Sequence, residues 1–166
     1  MIITIIPGYK GNKKHYKYLI KELSKKAKVK FIKIDWNKPL SALEKIIIKT
    51  DIIIGHSLGA LIVYKISTHR KINKVIICSL SPLLEEDLTK HMQNIVRKNI
   101  GDVWLNDLKK IKYGKTKSKN IIALYGDKES EKIKKRSHEL INRNVCIPNC
   151  GHSILKRYTK AIVGNL

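Results

Sequence analysis

Six short runs of apolar, mostly β-branched residues punctuate the chain: Ile2–Ile6, Val29–Ile34, Asp51–Ile54, Lys74–Cys78, Ile121–Tyr125 and Asn144–Ile147. Near-continuous Ile/Val runs of this length predict strands buried on both faces, as in a parallel sheet. Between them lie helix-length mixtures of apolar and polar residues. Lys13–Lys26 places Tyr16, Leu19, Ile20 and Leu23 at helical spacing. Leu58–Thr68 does the same with Leu61, Ile62 and Ile66, and Lys128–Ile141 with Ile133, Leu140 and Ile141. Ile154–Val163 predicts a closing helix. This alternation implies an open α/β sheet with right-handed crossovers.

The strand starts locate one irregularity. Four of the five intervals suit a simple βαβ unit; the fourth, from Lys74 to Ile121, is about twice as long. The surplus, residues 82–120, predicts two helices. Leu84, Leu88, Met92, Ile95 and Val96 mark the first, and Val103, Trp104, Leu108 and Ile111 the second. Gly101 breaks them, Asp102 is a candidate cap, and 114–120 is a Lys-rich connection. The insertion either packs on the sheet or forms a small cap over a site.

Composition bounds this picture. The chain has 166 residues, which is one domain's worth and excludes a two-domain enzyme. A hydrophobic fraction of 43% excludes wholesale disorder. No apolar run approaches the roughly 18–20 residues of a spanning helix, and Ile2–Ile6 lacks the flanks of a secretion signal. With only three cysteines, Cys78, Cys146 and Cys150, the expected setting is the reducing cytoplasm. The net charge of +22 suggests a polyanion or an acidic membrane as partner. The lysines are scattered in short groups without interleaved aromatics, so the charge is read as a diffusely basic surface and no specific nucleic-acid partner is expected.

The chemistry concentrates at Gly55-His56-Ser57-Leu58-Gly59, directly after a predicted strand and directly before a predicted helix. In that context G-x-S-x-G is a sharp turn that exposes a strained serine above the sheet. The N–H of Leu58 is then one oxyanion donor. A serine also needs a base and an orienting acid. His152, in Cys150-Gly151-His152 after the last strand, is the candidate base, with Gly151 expected to let the loop turn. Gly126-Asp127-Lys128-Glu129 follows the preceding strand and offers two alternative acids, Asp127 and Glu129. The loop Pro7-Gly8-Tyr9-Lys10-Gly11 supplies the second oxyanion donor, the N–H of Tyr9. A rival grouping of Cys146, Cys150 and His152 around a metal lacks a fourth ligand nearby, so neither metal nor cofactor is expected.

From Ile2 to about Val163 the sequence resembles the α/β-hydrolase superfamily. Pro7-Gly8-Tyr9 resembles the family's His-Gly-x loop, with Pro in place of His. Gly55–Gly59 matches a common form of its elbow, and Ile147–His152 resembles the approach to its catalytic histidine. The resemblance implies a minimal member: a three-layer sandwich around a six-stranded, mostly parallel sheet with helices on both faces. It selects Glu129 by spacing, with Asp127 as close competitor. A serine at the elbow excludes the aspartate-based dehalogenase and epoxide hydrolase chemistries. It implies an esterase acting through an acyl-enzyme on Ser57, on a small or short-chain carboxylic ester, with thioesters and amides open to the same machinery. The alternative is an inactive hydrolase-fold module that binds polyanions or acidic membranes through its lysines.

Overall fold

The computed structural model describes residues 1–46, 49–112 and 114–166. The strands are β1 (Ile2–Ile6), β2 (Lys28–Phe31), β3 (Ile52–His56), β4 (Lys74–Cys78), β5 (Ile121–Gly126) and β6 (Asn144–Ile147). The helices are α1 (Lys17–Ser24), α2 (Leu40–Ile46), α3 (Leu58–His69), α4 (Lys90–Asn99), α5 (Asp102–Leu108), α6 (Glu131–Leu140) and α7 (Lys156–Gly164), with a 3₁₀ turn at Glu85–Asp87. The sheet order is β2-β1-β3-β4-β5-β6 and every pairing is parallel. The order reverses direction between β1 and β3. At such a switch point the loops leaving neighbouring strands diverge and open a crevice at the carboxyl ends. The register levels those ends: Ile6 opposes Gly55, His56 opposes Cys78, and Gly126 opposes Ile147.

Alternation along each strand divides the core into two layers. Ile3, Ile5, Ile52, Ile54, Ile76, Ile122 and Leu124 face α1 and α7, where they meet Leu19, Leu23, Tyr158 and Ile162. Ile6, Ile53, Val75, Ile77 and Ala123 face the other way, against α2 and α3 and the residues of the insertion. This is the three-layer sandwich expected. Leu84, Leu88, Val96, Trp104, Leu105, Leu108 and Ile111 are buried in that second layer, so the insertion packs on the sheet side of the molecule. Residue 113, within the predicted insertion, lies outside the described residues.

Several local expectations are corrected. The helix predicted at 13–26 is α1 alone, because residues 13–16 form turns that leave Tyr16 at its N-cap. The strand predicted over 29–34 is Lys28–Phe31. Gly101, at φ 105°, caps α5; Asp102 is its first residue and pairs with Arg97 at 2.8 Å. Ile95 and Val103 are exposed although the periodicity counts them on apolar faces. Helix α2 is an addition to the predicted elements. It begins after Pro39, and its buried Leu40 and Leu43 stand three apart, a spacing too brief to stand out. Among the described residues, no helix is long and apolar enough to cross a membrane.

Candidate active site

Ser57 sits at the junction of β3 and α3 with φ 56° and ψ −121°. A non-glycine residue in this region is strained and persists only where its surroundings hold it. Here its N–H donates to the Cys78 carbonyl at 2.9 Å, and α3 begins at the next residue. The flanking glycines are sterically required. A Cβ on Gly55 would fall 2.6 Å from the Gly59 carbonyl oxygen, and one on Gly59 would fall 2.3 Å from that of Pro7. Leu58 occupies the first position of α3, where the N–H has no intrahelical acceptor. The Ser57 hydroxyl is turned toward that of Ser81, 3.3 Å away.

The loops after β1 and β6 meet beside this serine, across the end of β3, through one chain of hydrogen bonds. The Gly8 N–H donates to the Tyr16 hydroxyl at 3.0 Å. Tyr16 donates to Nδ1 of His56 at 2.7 Å, and Nε2–H of His56 donates to the His152 carbonyl at 2.6 Å. The directions follow from the partners: a carbonyl only accepts, so Nε2 carries the proton and Nδ1 accepts. His56 is held neutral, its pKa lowered to about 4, first by burial and then by the neighbouring His152. Burial likewise raises Tyr16 to about 12, against the opposing Gly8 N–H. With the Gly8 N–H engaged, the Tyr9 N–H has no hydrogen-bond acceptor among the described residues.

The two carboxylates after β5 differ in environment. Glu129 has a side chain only 1% exposed, and its Oε2 lies 3.6 Å from Nδ1 of His152. Oε1 accepts from the Ser79 hydroxyl and from the Gly126 N–H, while Oε2 is buried without a hydrogen bond and has only the imidazole opposite it. Burial alone would raise this carboxyl. His152, Ser79 and Gly126 outweigh it and hold the carboxyl below the ordinary value. Asp127 instead points at the loop after β6, accepting from the Asn149 N–H at 2.9 Å and the Cys150 N–H at 3.1 Å. The Asn149 bond, helped by that from Cys150, holds it low against the opposing effect of burial. Asp127 thus fastens the loop that carries His152, and Glu129 is the carboxylate that faces the imidazole.

Gly8, Tyr9, His56, Ser57 and His152 line one cavity of about 340 Å³. His152 itself is 48% exposed at its side chain. Lys10, Ser57, Ser79 and Asn149 all have positive φ, and each follows the carboxyl end of a strand on this side of the sheet. Gly151 is not among them and a Cβ there would meet open space. The turn before His152 is therefore made at Asn149, not at the glycine. Among the described residues no three His, Cys, Asp or Glu side chains converge as a metal site, and Cys146 is exposed while Cys150 is buried.

Tyr16, His56, Ser79 and Ser81 were not singled out as site residues by sequence. Tyr16 reads as one of four apolar helix positions, and His56 only as the variable position of G-x-S-x-G. Their partners are 8 to 96 residues away, which local periodicity does not encode. The one available signal is topological: Ser79 and Ser81 directly follow β4 and so belong at the carboxyl edge.

No protein-family model and no curated protein matches the chain. Solved structures do. MenH from S. aureus superposes with a TM-score of 0.69 at 14% identity, over 100% of this chain and 93% of that one. The esterase EaEST from Exiguobacterium antarcticum gives 0.67 at 14%, over 99% and 91%. The enol-lactonase from Burkholderia xenovorans LB400 gives 0.68 at 11%, over 99% and 90%. The all-parallel six-stranded sheet, the serine turn at its switch point and these superpositions agree: this chain has the α/β-hydrolase fold.

Proposed function

We propose that the protein is a serine hydrolase of small carboxylic esters. The observation that carries this reading is the buried Glu129 oxygen aimed at His152, with His152 and the strained Ser57 on one small cavity. The Ser57 hydroxyl turns about χ1 from Ser81 toward His152, a rotation between staggered wells. Its oxygen attacks the ester carbonyl while His152 takes the proton. The N–H groups of Tyr9 and Leu58 receive the oxyanion. His152 then gives the proton to the departing alcohol as the acyl C–O bond breaks. Water, deprotonated by His152, releases the acid and restores Ser57. Glu129 orients the imidazole and stabilises the imidazolium. A thioester or an activated amide suits the same steps, and solved neighbours include the type II thioesterase BorB.

The site's dimensions support a small substrate, since the cavity is about 340 Å³. The insertion reaches the Tyr9 loop without lining this cavity. The Tyr9 hydroxyl donates to the Asn99 carbonyl at the end of α4, and Trp36 bridges Tyr9 and Trp104 with ring centroids 5.3 and 4.8 Å away. The test is hydrolysis of nitrophenyl esters from acetate to decanoate, with fluorophosphonate labelling. Labelling at Ser57, a maximum at short chains and loss of both in Ser57→Ala are expected. Full activity in Ser57→Ala overturns the reading. Retention on heparin without labelling instead supports the inactive polyanion-binding module.

A further inference from the structure

Resting on that reading, we infer that the preferred ester carries an anionic group on its leaving side, held in a basic depression beyond His152. The acid–base chemistry fixes the direction. His152 must reach the departing oxygen, so the leaving group lies on the His152 side of the cavity. There a second depression of about 600 Å³ adjoins it, sharing His152, Ser153 and Leu155 with the first. Its outer wall is Tyr18, Lys156 and Arg157.

The charge of this wall is uncompensated. Lys156 and Lys17 both lie over the Tyr18 ring, with Nζ 5.5 and 5.1 Å from its centroid. Among the described residues Lys17, Lys156 and Arg157 make no ion pair. The neighbouring carboxylates are engaged elsewhere, Asp127 on two backbone N–H groups and Glu129 in the interior facing His152. Nor do these cations serve the helix. Lys156 and Arg157 are the first two residues of α7 and Lys17 the first of α1, the ends where positive charge opposes the helix dipole. Leu155, 60% exposed between the two depressions, gives the leaving arm an apolar surface to cross before its charge is met. A phosphate or a carboxylate on the alcohol side answers both features.

The experiment compares acetate esters of three phenols: one bearing a para-phosphate, one a para-carboxylate and one the neutral methyl ester of that carboxylate. The wild type is set against Lys156→Glu/Arg157→Glu, and against Lys115→Glu/Lys119→Glu at the opposite end of the sheet, which changes net charge equally. The readout is the kcat/KM ratio of each anionic ester to the neutral one, which cancels intrinsic leaving-group reactivity between variants. Glu in the first turn suits the helix dipole, so the first variant is expected to fold; Lys156→Gln/Arg157→Gln provides a milder second one. The expected result is a ratio that falls about tenfold in the Lys156/Arg157 variants through KM, falls with added salt in the wild type, and changes less than about twofold in the distant control. Whether the phosphate or the carboxylate ester gains more identifies the anion. Equal falls in both charge variants, or none in either, overturn the inference and leave the hydrolase reading standing. Absence of hydrolysis of all three esters overturns that reading and the inference with it.

Discussion

Glu129 and Asp127 are two residues apart and chemically alike, yet burial and partners assign them different work. Glu129 keeps one buried oxygen toward His152, while both oxygens of Asp127 are occupied by the backbone of the next loop. Glu129→Gln keeps the shape but removes the charge to which the proposed mechanism assigns the orientation of His152 and the stabilisation of its imidazolium. A fall in kcat of about 10³–10⁴-fold is expected, with KM little changed. Asp127→Asn retains one acceptor for the loop, so a loss within about tenfold is expected. Steady-state kinetics on a nitrophenyl ester separates the two. The reverse ranking would make Asp127 the acid. Sequence left these two carboxylates open, because spacing alone does not report which one enters the interior.

At the scale of elements, the crossing of α3 over β1 fixes the serine turn. The Gly59 backbone lies against the carbonyls of Ile6 and Pro7, close enough that a Cβ would sit 2.4 and 2.3 Å from their oxygens. Backbone cannot yield there without moving the Tyr9 loop. Gly59→Ala is therefore expected to cost about 3 kcal/mol or more and to reduce activity in the surviving folded fraction. Gly151→Ala, in open space, is expected to stay within about 0.5 kcal/mol of the native stability. Urea denaturation of the two variants checks both figures. The sequence located all six strands to within a few residues, because buried parallel strands are written as continuous Ile/Val runs. It passed over α2 and misplaced the cap of α5, where short helices depend on neighbours more than on their own pattern.

At the scale of the molecule, His56, the last residue of β3, joins the loops that follow β1 and β6. Its pKa is about 4 in the fold and near 6.5 when unfolded, so below pH 6.5 the unfolded chain binds the extra proton. Stability is thus full above about 6.5 and falls as the pH drops toward about 4, by on the order of 3 kcal/mol from this residue. Urea midpoints measured across that range are expected to decline in the wild type and to decline less in His56→Gln. An equal slope in both would show that the His56 ring is not the buried neutral group described. The +22 charge acts at this scale too, and Lys156 and Arg157 are its local expression beside His152.

The sequence by itself determined the parallel α/β architecture and the serine turn, and it placed a histidine after the last strand. Each is encoded locally, in runs, glycine spacing or chain order. The tertiary structure alone decided which carboxylate meets His152, that Asn149 makes the turn before it, and that Tyr16 and His56 tie the site together. Those outcomes depend on β1 lying beside β3 and β5 beside β6. That adjacency brings together groups up to 96 residues apart, such as His56 and the His152 carbonyl. Burial then chooses between chemically similar side chains, a choice made by the assembled sheet and not by any single segment.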